Sequence, residues 1–256
     1  DLVAVETSPS SVTGTTSSVL PNGARLYVDH AHPEYSTPEV TGPDEALIWD
    51  RAGELIMERA CAASRQVRLA AYKNNTDGKG ATYGTHENYL VDRAVPFGDL
   101  VALLIPFLVT RTIVTGSGRV GLGRNSEGCG FQLAQRADYI ESEAALETTF
   151  NRPIVNTRDE PHADRTQYRR LHLILGDANC FDVPTYLKLG TTAAVLWLAE
   201  HAQTHPDGPA ATAVRHLIRL DLAEPVQAVR QVSYDLDLTG LLELADGRRM
   251  RALDIQ

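Results

Sequence analysis

The amino-acid sequence predicts an α+β fold, and three observations lead to that prediction. Segments with the two-residue period of a strand alternate along the chain with segments of helical period. No glycine-rich phosphate loop joins a strand to a helix, as a nucleotide-binding parallel sheet would require. The 256 residues, 43% of them hydrophobic and 22% charged, suffice for one large domain with a real core.

The first predicted strand covers residues 24–30. It follows Asn22 and Gly23, a pair that tolerates positive φ and is the strongest short hairpin signal. A helix is predicted at 44–67, with Asp44 as its capping residue. The Ser- and Thr-rich residues 1–18 predict a mobile segment before the first strand.

The later elements follow from the same periodicities and turn signals. Strands are predicted at 69–72, 81–90, 129–140 and 169–176, and helices at 97–114, 185–201 and 210–220. The helix at 185–201 is very apolar, so we expect it to be internal.

Charge and cysteine content exclude several classes of protein. A net charge of −9 argues against a nucleic-acid binder, which needs a basic surface to displace counterions. The longest apolar stretch, residues 100–109, is too short for a membrane span, and no targeting segment is visible. Three scattered cysteines form neither a disulfide framework nor a metal motif, which favours the reducing cytoplasm.

The first predicted strand has one polar and one apolar face. Side chains two apart on a strand share a face, so Arg25, Tyr27 and Asp29 point one way and Leu26 and Val28 the other. The alternative is that this polar face is simply the solvent-exposed face of a half-buried sheet. Solvated faces usually carry Thr, Lys, Glu and Ser, however, and these residue types are typical of a site for metal and anions.

Two other predicted strands repeat the division. Arg170 and His172 lie together on one face, opposite three leucines, and His86 and Asn88 lie together on an earlier strand. Three strands thus each offer a polar face with the side chains of a binding site.

The segment after the first strand adds possible metal ligands. Asp29 and Glu34 are oxygen donors that suit Mg²⁺, which takes one or two carboxylates together with phosphate oxygens. His30 and His32 leave zinc as a weaker alternative, since no cysteine is near. Arg158 is a candidate for phosphate binding, because its fork of donors matches phosphate oxygens.

Several long strings together resemble one family. They are NGARLYVDHAHPEYSTPE at 22–39, YKNNTD at 72–77, YGTHENYL at 83–90, QRAD at 135–138, NTRDEPHAD at 156–164 and RRLHLILGDAN at 169–179. On these strings the chain resembles the Pup-processing enzymes of actinobacteria, which comprise depupylases (Pup deamidases) and Pup ligases.

The resemblance implies a glutamine-synthetase-like fold, in which the concave face of a curved antiparallel sheet, backed by helices, holds ATP and Mg²⁺. It implies that Asp29 is the catalytic residue, as nucleophile or as base for water. The residues at the family's magnesium positions are Tyr27, Glu34, His86 and His172. Those at its ATP positions are Ser36, Thr37, Asn88 and Arg170, with Arg25 as a further candidate.

Two departures accompany the resemblance. The family's first strand contains Gly-x-Glu-x-Glu-Tyr, which supplies further metal-binding glutamates, and this string does not occur here. We expect the family's smaller C-terminal domain to be absent as well. We therefore expect residues 19–256 to be the central part of the catalytic domain, which a companion chain could complete.

The resemblance implies three functional hypotheses. The first is a depupylase that needs ATP, or ADP with phosphate, and Mg²⁺ to cleave the isopeptide bond between Pup and a substrate lysine, and that also deamidates Pup. The second is a Pup–protein ligase. The run from His30 to His32 favours the depupylase over the ligase. The third is an inactive module that binds Pup or nucleotide. In each case the partners are Pup and pupylated proteins.

Overall fold

A computed structural model describes residues 17–29, 32–65 and 67–256. They form two compact units, divided between Ala71 and Tyr72, each of which contains both helices and strands. This division falls inside the range 19–256 for which the sequence predicts one domain. Of the segment expected to be mobile, Ser17 and Ser18 belong to a strand, and residues 1–16 lie outside the described part of the chain.

The first unit is a three-stranded antiparallel sheet with one long helix. Its strands are β1 (Ser17–Val19), β2 (Arg25–Asp29) and β3 (His32–Ser36), in the spatial order β1-β2-β3. The Asn-Gly turn forms as predicted, because Gly23 adopts φ +88° and the Asn22 side chain accepts a hydrogen bond from the backbone of Ala24.

The helix of this unit is α1 (Pro43–Ala63), which begins after Gly42 and carries Asp44 in its first turn. Asp44 is therefore not the capping residue. The helix packs on the apolar side of the sheet through Gly53, where a Cβ atom would stand 2.3 Å from Cδ1 of Tyr35. Only glycine permits this close approach.

The second unit contains three sheets. Its strands are β4 (Glu87–Asp92), β5 (Arg119–Leu122), β6 (Gly128–Gln132), β7 (Ser142–Ala145), β8 (Pro153–Asn156), β9 (Tyr168–Leu173), β10 (Leu241–Glu243) and β11 (Arg249–Arg251). The largest sheet has the order β4-β9-β8-β7, while β5 pairs with β6 and β10 with β11. All of these pairs are antiparallel except β7 with β8, which is parallel.

Five helices cover this unit: α2 (Phe97–Thr115), α3 (Asp182–Thr204), α4 (Pro209–Leu217), α5 (Pro225–Tyr234) and α6 (Ala252–Ile255). Helix α2 runs through the main core, and its Leu100, Leu104 and Leu108 are fully buried with the sheet residues Leu171 and Leu173. By length and composition α2 could cross a membrane, but 56% of its most apolar stretch is buried inside the unit.

Several predicted elements differ from the structure. Residues 69–72 form no strand, and the strand predicted at 81–90 begins only at Glu87. Gly84, with φ +134°, lies in the loop that precedes it. The strand predicted at 129–140 ends at Gln132 and is followed by a short 3₁₀ turn. The helix predicted at 44–67 ends at Ala63.

The largest difference concerns α3. Its apolar composition predicts an internal helix, but only one face is buried, and the Trp197 side chain is 61% exposed. Strand β3 was not among the predicted elements, and it contains Pro33, a residue that is rare within strands.

Candidate active site

The first polar face lies on the sheet of the first unit. Tyr27 on β2 stands directly opposite Glu34 on β3, and opposed residues of antiparallel strands share a face. The Tyr27 hydroxyl donates a hydrogen bond of 2.6 Å to Oε2 of Glu34. Burial, and then the neighbouring Glu34 carboxylate, raise the pKa of Tyr27, so the phenol keeps its proton when no cation is bound.

Arg25 and Ser36 extend this face along the strands. They stand opposite each other in the register, and the Arg25 guanidinium lies 5.1 Å from the centre of the Tyr27 ring. Nε of Arg25 also donates to the Ser17 hydroxyl at 2.6 Å. The stack of guanidinium on phenol holds a cationic group above the face, where it could meet an anion.

Asp29 ends β2 at the edge of this face. Its register partner is His32 on β3, and both side chains are exposed. Thr37, just beyond β3, is also exposed. His30 lies outside the described residues. The alternation expected from the sequence is thus observed: Arg25, Tyr27 and Asp29 share one face with Glu34 and Ser36.

A second polar face lies on the β4–β9 pair of the second unit. Asn88 stands directly opposite His172, and Arg170 donates from Nε to Oδ1 of Asn88 at 2.7 Å. The rings of His86 and His172 meet edge to face, with their centres 5.2 Å apart. The four residues predicted on these two strands are therefore neighbours, and Leu171 and Leu173 point to the core instead.

His172 has the most unusual environment on this face. Its side chain is only 3% exposed, and neither ring nitrogen has a hydrogen-bond partner in the described structure. Burial, followed by the nearby His86, Arg170 and Arg158, lowers the pKa of His172 to about 3. A neutral, buried imidazole without a hydrogen-bond partner can coordinate a cation through its free ring nitrogen.

The rear side of the same strand pair carries a charged cluster that the sequence reading missed. Glu87, between His86 and Asn88, is fully buried and accepts hydrogen bonds of 2.9 Å at both oxygens from Arg111 of α2. Strand alternation could have revealed it, since it places a carboxylate on the apolar face, and such a charge requires a partner. Arg111 is the one basic residue in the apolar helix.

The metal candidates occur as two pairs: Tyr27 with Glu34 in the first unit, and His86 with His172 in the second. In the described part of the chain, no three acidic, histidine or cysteine side chains converge on one point. A pair fits Mg²⁺ when it arrives with a nucleotide, because this ion keeps waters and phosphate oxygens and needs few protein ligands. A zinc site built from several histidines and cysteines, in contrast, is not observed in the described residues.

The fold and the two polar faces define an α+β protein with residues suited to a metal ion and an anionic ligand. Comparison with known proteins gives the family: residues 2–256 match the model of the Pup-ligase protein family, and the chain belongs to it.

Two curated relatives show where the chain lies within this family. It is 56% identical over 247 residues to a Pup deamidase/depupylase of Mycobacterium tuberculosis, covering 95% of this chain and 47% of the relative. It is 42% identical over 254 residues to a Pup–protein ligase of Paenarthrobacter aurescens, covering 95% of this chain and 53% of the relative. The chain thus spans about half the length of these relatives.

A solved structure agrees with the family and with the glutamine-synthetase-like α+β fold predicted from the sequence. The Pup ligase PafA in complex with ADP superimposes with a TM-score of 0.78 at 35% identity, over 94% of this chain and 52% of that structure.

Proposed function

We propose that this chain is the central part of a depupylase, which hydrolyses the isopeptide bond between Pup and a substrate lysine and deamidates the C-terminal glutamine of Pup. The observation that carries the proposal is the polar face of β2 and β3, where Asp29 ends a strand beside Tyr27 and Glu34. The higher identity to a depupylase, 56% against 42% to a ligase, supports hydrolysis over ligation.

Asp29 is the residue to which we assign the attack. Cleavage of an amide needs an oxygen nucleophile, or a base that activates water, next to the carbonyl carbon. The exposed carboxylate of Asp29 can reach a bound substrate from the edge of the sheet. The same step opens the isopeptide bond of a conjugate, releasing the lysine amine, and the side-chain amide of a C-terminal glutamine, releasing ammonia.

The other residues would bind the nucleotide and the metal. We assign Tyr27, Glu34, His86 and His172 to Mg²⁺, and Ser36, Thr37, Asn88 and Arg170 to ATP, with Arg25 as a further phosphate contact. The ADP bound in the related ligase structure supports a nucleotide at this fold. When bound, the metal would place positive charge where negative charge develops on the carbonyl oxygen, and the phosphates of the nucleotide would help to hold the metal.

Hydrolysis and ligation differ in what they require of the nucleotide. Forming an amide from a free carboxylate is uphill and consumes one ATP for each bond. Hydrolysis runs downhill, so the nucleotide need only organise the site. We therefore expect ATP, ADP with phosphate, or a slowly hydrolysed ATP analogue each to support cleavage of a Pup conjugate by the complete enzyme, with no stoichiometric release of ADP.

The test is a direct comparison of the two directions. The complete enzyme is incubated with a Pup conjugate and each nucleotide, and separately with Pup ending in glutamate, a lysine-bearing acceptor and ATP. Cleavage in the first reaction supports the depupylase. Conjugate formation with one ADP per bond in the second would overturn it in favour of the ligase.

Binding without either reaction would favour the third reading, a Pup- or nucleotide-binding module. Because the chain spans about half the length of its relatives, we propose that a companion segment could complete the site. Isothermal titration with MgATP and with Pup separates binding from catalysis.

The three cysteines are free thiols, which supports our placement of the protein in the reducing cytoplasm.

A further inference from the structure

A buried ion pair lies directly behind the second polar face. Glu87 on β4 and Arg111 on α2 are both fully buried, and the two terminal nitrogens of the guanidinium each donate a hydrogen bond to the carboxylate. The Tyr89 hydroxyl donates a further hydrogen bond of 2.7 Å to Glu87. Glu87 thus receives three donors, which is the way a buried carboxylate is kept charged.

The pair remains ionised in spite of its burial. Burial is the largest single influence and alone would raise the pKa of Glu87 and lower that of Arg111, but the charge of the partner and the hydrogen bonds to it together outweigh burial. The pKa of Glu87 is therefore lowered and that of Arg111 raised, which favours the charged form of both.

Helix α3 holds the guanidinium from its other side. Arg111 donates to the Thr192 hydroxyl at 2.6 Å and to the backbone oxygen of Lys188 at 3.1 Å. Gly176, in the loop after β9, leaves the necessary space, because a Cβ atom there would lie 2.9 Å from Oε1 of Glu87. The pair therefore links β4, α2 and α3 next to the end of β9.

The position of Glu87 in the strand connects this cluster to the polar face. Its two neighbours in sequence are His86 and Asn88, whose side chains point to the opposite side of β4. Any rotation of β4 about its own axis would break the two bonds that Arg111 of α2 donates to Glu87. The same rotation would move His86 and Asn88 away from His172 and Arg170, with which they are in contact.

We propose that Glu87 and Arg111 are positioning residues, which hold the strand so that His86 and Asn88 meet His172 and Arg170 in the geometry that binds the metal–nucleotide complex. A buried ion pair often stabilises a fold no more than apolar residues of equal volume, and its better attested role is to specify one arrangement. This inference rests on the proposed nucleotide site.

The test replaces the fork of Arg111 while keeping its charge. In Arg111→Lys, the lysine ammonium lacks the planar fork of a guanidinium and cannot bond both carboxylate oxygens of Glu87 in that geometry. We expect MgATP affinity to fall at least tenfold and the NMR signals of the His86 and His172 rings to shift, while the variant still unfolds cooperatively. Thr192→Val, which removes one acceptor of Arg111, is a milder second variant, and we expect changes in the same direction.

A second buried ion pair provides the matched control. Arg119 and Asp138 lie 3.5 Å apart, with side chains 7% and 5% exposed, among residues of β5, β6 and the 3₁₀ turn. We expect Asp138→Asn to lower the unfolding temperature but to leave MgATP affinity within twofold and the two histidine rings unchanged.

Four outcomes decide whether the ion pair positions the strand. Weaker affinity and shifted rings in Arg111→Lys and Thr192→Val, but not in Asp138→Asn, support positioning. Unchanged rings and affinity in the folded Arg111 and Thr192 variants would overturn it, as would equal effects in the control. If the unaltered chain binds no MgATP, the proposed nucleotide site fails, and the ring signals alone still decide whether the pair positions the strand.

Discussion

Replacing His172 with leucine separates the stability of the fold from the function of the polar face. The imidazole is 3% exposed, and its two nitrogens have no hydrogen-bond partner among the described residues. Leaving one buried polar group unsatisfied costs roughly 1–3 kcal/mol. Leucine has a comparable volume and no polar atom, so His172→Leu removes this penalty.

We therefore expect His172→Leu to stabilise the metal-free chain by about 1–3 kcal/mol. For a domain of this size that corresponds to a rise in Tm of roughly 2–4 °C per kcal/mol. The same variant is expected to lose MgATP binding, because the ring is one of the assigned ligands of the metal. A residue whose removal strengthens the fold and abolishes binding is kept for function.

Urea denaturation in buffer with a chelator measures the first effect, and titration calorimetry with MgATP the second. Leu173→Ala, on the opposite face of the same strand, is the control for a packing residue. Leu173 is fully buried, so we expect a loss of about 2–5 kcal/mol from its truncation. A loss of stability of 1 kcal/mol or more in His172→Leu would refute the reasoning, since it would mean that the ring nitrogens are satisfied in the folded chain.

Three further predictions concern catalysis, packing and pH. Asp29→Asn should abolish cleavage of a Pup conjugate and leave MgATP affinity within about threefold, since the amide is near-isosteric but is neither nucleophile nor base; cleavage at an undiminished rate would remove Asp29 from the mechanism. Gly53→Ala should lower stability by about 1–3 kcal/mol, because its Cβ would meet the Tyr35 ring. Gly98→Ala, whose Cβ would have nothing within 4 Å, should raise stability by about 0.5–1 kcal/mol. Shifts of the two urea midpoints in the same direction would contradict this prediction. Stability of the metal-free chain should fall as the pH drops from 6.5 towards 3, because the unfolded chain binds a proton at His172 that the folded chain accepts only near pH 3. The fall should be shallower in His172→Leu. Identical pH curves for the two chains would exclude this histidine as a source of the pH dependence.

Strand alternation explains why the polar faces could be predicted from sequence. A period of two assigns each side chain to a face once a strand is recognised, and this correctly placed Arg25 with Tyr27 and Arg170 with His172. Pairing between strands is set by contacts distant in sequence. The bond between Arg170 and Asn88, which are 82 positions apart, therefore became visible only in the structure.

The errors have physical causes of the same kind. Apolar composition made α3 look internal, but composition does not tell which residues of a helix meet the core, and Trp197 lies on the open side. The Glu87–Arg111 pair was missed because each charge, taken alone, contradicts its apolar surroundings. The burial of each charge is explained only by its partner on another element.

The buried arginine of α2 also has a consequence for the chain during its synthesis. Phe97–Thr115 leaves the ribosome before α3 and α5, which later pack against it, and until then it presents a stretch with the length and hydropathy of a membrane span. A charged residue within such a stretch opposes insertion into a bilayer, by about 2.5–3.5 kcal/mol at the centre and by less towards the ends. Arg111, four residues before the end of the helix, therefore disfavours misinsertion of the nascent segment until Glu87 and the rest of the core enclose it.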